Sequence, residues 1–257
     1  MAPKNLSNSI AATYKWLRLG IGLMALAFPL ILWIGGHLVA SLPLQGSMSA
    51  YYHAGNALVP GQGVMRNEFV GILFAVGTIL FLFRGISRLE DLLLNLAGVM
   101  ALGVALFPMA WPEKSGAPNS FFSTHGVCAV TFFFCIGFVC IFCASDTLDQ
   151  LEKVKGETQK TRYRKSYRIL GVLMVALPLG AMCLKLFAPW RDWTIFFVEV
   201  AGIYVFSAFW LLKTYEISQT DLDKKVAQGK IRVEPRPMLE RLTLHPLNIV
   251  SVDDSKL

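Results

Sequence analysis

Residues 16–39 read WLRLGIGLMALAFPLILWIGGHLV, an apolar run broken by the single charge of Arg18. A secretory signal core is usually only about 7–15 apolar residues long, whereas a membrane-crossing helix needs about 20. This run is too long for the first and long enough for the second, and bulky Leu, Ile and Trp continue to its end. It reads as a retained membrane span, and the rest of the chain is to be judged against it.

Five further stretches repeat the pattern. The expected spans are about 17–41, 68–85, 92–111, 125–144, 168–188 and 194–214. The fold class is therefore all-α: a polytopic membrane protein with six transmembrane helices in one bundle over 1–215, followed by a cytoplasmic tail over 216–257. Bulk composition agrees. Of 257 residues 54% are apolar and 16% charged, against about 25% charged in ordinary soluble domains. Pro29 and Pro178 fall inside spans one and five, where neighbouring groups can re-satisfy the backbone that a proline frees. The tail is polar, carries Pro235 and Pro237, and predicts one short helix near 219–228.

Lys and Arg set the orientation. The N-terminus, the 84–91 turn, the 145–168 loop and the chain after 212 together hold 20 of the 24 basic residues. By the positive-inside rule these segments, and so both termini, face the cytoplasm. The densest run, KVKGETQKTRYRKSYR (153–168), suits anionic headgroups. A pI near 9.2 is thus accounted for by membrane lipids as partners, without nucleic acid. Trp111, Trp190 and Trp193 are expected at the outer interface, and Tyr14, Trp16, Trp210 and Tyr215 at the inner one. Cys128, Cys135, Cys140, Cys143 and Cys183 lie within apolar stretches and read as packing residues, not as a disulfide framework.

Polar chemistry collects on the outer side. The first outer loop runs Ser47-Met48-Ser49-Ala50-Tyr51-Tyr52-His53 and continues to Arg66-Asn67-Glu68. It reads either as a functional loop or as an interfacial one whose tyrosines sit among headgroups. His37 lies near the outer end of span one, and His125 opens span four. Glu199 lies about 9 Å below the outer end of span six at ~1.5 Å per residue, and Lys185 about 5 Å below that of span five. A buried charge at membrane depth is costly and normally faces protein or water. Lys185 and Glu199 could pair across the short turn that joins their helices. Asn67 could cap span two, with Glu68 favouring its dipole. The candidate ligand-binding residues are Ser49, Tyr52, His53, Arg66, Glu68, His125, Lys185 and Glu199. His37, His53 and His125 are candidate zinc ligands, although no H-x-x-x-H or H-E-x-x-H spacing supports them. No G-x-S-x-G, phosphate-cradling loop or dinucleotide fingerprint occurs. The glycines of the spans read as close helix contacts.

The stretch Ser47–Glu68, with FVGILFAVGTILFLFRG (69–85) and LAGVMALGVALFP (96–108), resembles a family of bacterial multi-span membrane proteins whose first outer loop reads S-x-S-x-Y-Y-H. The resemblance implies membership and a bacterial inner-membrane location, and no activity. More distantly the chain resembles DRAM-like six-helix membrane proteins, which implies a role in membrane or lipid homeostasis. Ser49 and His53 also match the S-x-x-x-H element of the alkaline ceramidase and adiponectin-receptor superfamily of transmembrane hydrolases. That similarity implies a zinc-dependent attack on lipid. The chain departs from it in lacking a late H-x-x-x-H, an intramembrane Asp and a seventh span. Two expectations follow: an outward-facing pocket that binds or passes a lipid, small ligand or ion, or else a metal-dependent lipid hydrolase.

Overall fold

The computed structural model describes residues 6–55, 63–110, 123–187, 193–231 and 233, apart from the side chains of 182 and 184–187. Every regular element among them is helical: α1 (Leu6–Leu30), α2 (Gly36–Ala40), α3 (Arg66–Leu82), α4 (Arg88–Leu106), α5 (Thr124–Phe138), α6 (Leu148–Lys155), α7 (Glu157–Phe187), α8 (Thr194–Thr220) and α9 (Leu222–Ala227). Wider π-type turns extend α1 through Ile31–Gly35 into α2, and α5 through Val139–Cys143. Four of the resulting rods are long and apolar enough to cross a bilayer: Leu6–Ala40, Arg88–Leu106, Thr124–Lys155 and Thr194–Thr220. At 17 residues, α3 spans only about 25 Å at ~1.5 Å per residue, a little less than the ~30 Å hydrocarbon core.

Sequence chemistry explains where these helices start and stop. The Ser87 hydroxyl accepts from the Glu90 amide at the start of α4, while the Glu90 carboxylate accepts from the Ile86 amide. This reciprocal arrangement satisfies donors that a helix start leaves orphaned. Ser123 caps α5 in the same way through Gly126, which puts His125 in the first turn. The start of α3 differs from expectation. Met65 is its cap residue and offers no side-chain bond, so Asn67 lies inside the helix. Gly156, at φ +82°, breaks the chain between α6 and α7.

Six helices close into a ring in which each packs on the next: α1 on α3, then α4, α5, α7 and α8, with α8 returning to α1. Glycine pairs set the tightest seams. A Cβ on Gly98 would lie 2.6 Å from the Gly77 carbonyl oxygen, and one on Gly171 would lie 2.9 Å from that of Gly137. Small residues let membrane helices approach until backbones touch, as the sequence suggests for α3, α4 and α5. Cys128, Cys135, Cys140 and Cys143 are buried free thiols and serve as packing.

The Lys/Arg-rich end of the ring is a polar knot. The Lys213 ammonium donates to the Ala144 carbonyl at 2.7 Å, to the Thr147 hydroxyl and to the Glu216 carboxylate at 2.9 Å. Glu216, wholly buried, also accepts from Thr147 and from the Tyr167 hydroxyl at 3.0 Å. Lys160 pairs with Asp149 and Glu152, clamping α6 to α7, so this lysine of the 153–168 run is taken up by the protein itself. Arg18 pairs with Asp223 and holds α9 against α1. The helix expected near 219–228 is therefore present as α9, with the break at Asp221. Trp210 is 2% exposed and sits among Phe83, Phe206 and Phe209; it is a core residue, not an interfacial anchor. Tyr215 and Trp16 are exposed. Trp193, at the opposite end of the ring, is exposed too.

Removing one member of a buried ion pair strands the other charge and costs about 3–5 kcal/mol, whereas replacing both by apolar groups is often neutral. Glu216→Ala and Lys213→Met should each lower the unfolding midpoint in detergent strongly. The double variant should recover most of the loss, which a double-mutant cycle on thermal melts would measure.

Candidate functional site

At the end of the ring opposite that knot, the loop between α2 and α3 folds back over the helices. Most of its residues between 47 and 54 are buried: Tyr51 is 0% and Tyr52 7% exposed. The tyrosines therefore pack against Phe196 and Phe69 and do not anchor in headgroups. Three attachments hold the loop down. The Phe196 amide, one of the unpaired donors at the start of α8, donates to the Gly46 carbonyl at 3.0 Å. The Glu199 carboxylate accepts from the Ser47 hydroxyl at 2.9 Å and from the Met48 amide at 2.7 Å. His53 donates from Nε2 to the Met109 carbonyl at 2.8 Å, tying the loop to the segment after α4.

Beneath the loop the ring helices line a half-open cavity of about 180 Å³. For scale, an apolar cavity of about 150 Å³ admits benzene. All six ring helices line it, with walls such as Phe28, Ile72, Ala101, Val130, Pro178 and Ile203. Among the described residues its polar side chains are Ser47, Ser49, His125 and Glu199.

Within that polar group, Ser49 and His125 form a defined pair. The Ser49 hydroxyl lies 2.8 Å from His125 Nε2. On the other side of the ring, Nδ1 lies 2.9 Å from the Phe107 carbonyl and 3.2 Å from that of Val104. A carbonyl can only accept, so Nδ1 carries the proton; in the neutral imidazole Nε2 is then the acceptor and Ser49 the donor. The Val104 carbonyl is available for a plain reason. Its helical donor would be the amide of residue 108, which is Pro108 and has no N–H.

The expected site residues are thus sorted. Ser49, His125 and Glu199 converge on the cavity. Tyr52 and His53 brace the loop, in edge-to-face contact at 4.8 Å. Arg66 is exposed at the start of α3, with its guanidinium 5.2 Å above the Tyr52 ring. Glu68 is exposed in the first turn of α3, where it favours the helix dipole. His37 is exposed on α2. The Lys185 side chain lies outside the described residues, so its pairing with Glu199 does too; Glu199 is engaged by Ser47 and Met48. His37, His53 and His125 do not gather: among the described residues no group of three or more His, Cys, Asp or Glu side chains could hold a metal ion. Sequence reasoning passed over Ser47, although it stands in the quoted loop. A serine two residues before another carries no signal until α8 brings a carboxylate to it.

Comparison with protein-family models, with curated proteins and with solved structures finds no match to this chain.

His53 gives the site a pH dependence. Burial pushes its pKa below the ordinary imidazole value of 6.5, opposed by the bond to Met109 and reinforced by the charge of Arg66. The folded state therefore holds His53 neutral, while the unfolded chain takes up a proton below about 6.5. The stability it contributes is whole above that pH and is lost as pH falls through the lowered folded value. Thermal melts in detergent between pH 7.5 and pH 5 should show this decline, and His53→Gln should flatten it.

Proposed function

We propose that this chain is a six-span membrane protein, with both termini in the cytoplasm, that binds an amphiphilic lipid inside its helix ring. The observation that carries the reading is the cavity: apolar walls contributed by six helices, with Ser47, Ser49, His125 and Glu199 as its polar group. A chain of methylenes suits the walls, since each buried CH₂ is worth about 0.8 kcal/mol. A hydroxyl suits the Ser49 and His125 end, because it can donate to Ser49 Oγ, and a buried polar group must be hydrogen-bonded to be tolerated. An ion would find Glu199 already engaged and little else to replace its hydration.

The six-span count rests on α3 and on the apolar second half of α7, added to the four long apolar rods. The orientation rests on the 20 of 24 basic residues that the sequence puts in the expected inner segments. The resemblance of 47–68 to bacterial multi-span proteins supports the bacterial inner membrane as its site.

Two experiments test this. A lipid carrying a photoreactive group along its acyl chain should cross-link to wall residues such as Val130 and Ile203, and Ala129→Trp, which fills the cavity, should reduce that labelling at least tenfold. Cross-links confined to the outer surface of the ring would overturn the reading. For topology, a membrane-impermeant maleimide should label Ser41→Cys in intact cells and Gly156→Cys only after permeabilisation, in a background carrying Cys183→Ser.

A further inference from the structure

The Ser49–His125 pair has the parts of a nucleophile and its base, and nothing in lipid binding alone calls for them. We propose that Ser49 is an acyl-accepting nucleophile activated by His125, and that the chain cleaves an ester-linked acyl lipid. The proposal rests on the reading of the cavity as a lipid site.

The geometry is that of a base held for one task. A serine hydroxyl becomes a competent nucleophile when a neighbouring base within about 2.6–3.2 Å can take its proton, and when a third group orients that base. Ser49 Oγ and His125 Nε2 meet the distance at 2.8 Å. The third group is the pair of carbonyls of Val104 and Phe107 on Nδ1, which does what a carboxylate does in the familiar triads. It fixes the tautomer and stabilises the imidazolium that forms. Both carbonyls lie at the C-terminal end of α4, where the helix dipole is negative and favours a cation. His125 is 8% exposed, so little water competes for Nε2.

The reaction balances with water as the only co-reactant. Ser49 Oγ bonds to the ester carbonyl carbon as its proton passes to Nε2. The carbon–oxygen bond to the alcohol then breaks, and Nε2 returns that proton to the departing oxygen. Water, deprotonated by Nε2, attacks the acyl-serine; a free acid leaves and the hydroxyl is restored. The Met48 and Ser49 amides are committed to Glu199 and Ser47, so neither is spare to hold the developing oxyanion. One such donor is worth about 10²–10³ in kcat, and turnover is expected to be slow. The covalent adduct, not product release, is therefore the proper readout.

The test uses the full chain in detergent or nanodiscs with two fluorophosphonates, one bearing a ten-carbon chain and one with only short alkyl groups. The expected result is a single adduct mapped to Ser49 by mass spectrometry. It should form at least a hundredfold more slowly in His125→Ala. Absence of any Ser49 adduct from both reagents in the wild-type chain overturns the proposal, whatever the variant does. So does a labelling rate indifferent to His125→Ala. Lipid cross-linking without a Ser49 adduct would leave the lipid reading standing and remove the nucleophile. A Ser49 adduct from the short reagent alone, without cross-linking, would keep the nucleophile and remove the lipid.

Discussion

A carboxylate in the wall of an apolar cavity is tolerable only if its oxygens are occupied, and Glu199 occupies them with the loop that covers the cavity. That single necessity shapes the whole upper end of the ring. By accepting from Ser47 and Met48, Glu199 draws the segment 46–49 onto the first turn of α8, where the Phe196 amide also needs an acceptor. Ser49 is thereby brought over the cavity, within reach of His125. The segment 47–54 is thus a structural part of the bundle.

The same logic operates at the far end with a different solution. There Lys213 and Glu216 neutralise one another and share Thr147, Tyr167 and the Ala144 carbonyl among them. The last carbonyls of an α-helix have no intrahelical donor, and the π-type turn at Val139–Cys143 ends directly before Ala144. The ammonium of Lys213 answers that deficit. Polar networks thus tie the helices together at both ends of the bundle, with an apolar middle between them.

The helices were legible because their signal is additive: each span is a run of many apolar residues, and a few exceptions do not hide it. Each of the six expected stretches falls largely within a helix, from 17–41 in α1 and α2 to 194–214 in α8. The local punctuation was less legible. Asn67 has the chemistry of a cap, yet the chain turns into the helix two residues earlier. The convergence of His125 and Glu199 could be guessed from depth, since rise per residue fixes height. Which side chain meets which depends on rotation about each helix axis, and hydropathy says nothing of that. Ser47 and Met48, from which Glu199 accepts, stand some 150 residues away from it in sequence. Lys213 and Trp210 were missed for the same reason. A lysine and a tryptophan near the end of an apolar run look interfacial until packing turns them inward.

Pro108 has a wider meaning than its place in a bend. It contributes no group to the cavity, yet it helps decide on which nitrogen of His125 the hydrogen resides, because it declines to offer the Val104 carbonyl a competing donor. Any other amino acid there would bring an amide able to reclaim that carbonyl for the helix. The placement of an imidazole hydrogen is thus written into the genome partly as a subtraction, at a codon whose product does not line the cavity. An inventory of functional residues drawn only from what touches the cavity would leave it out.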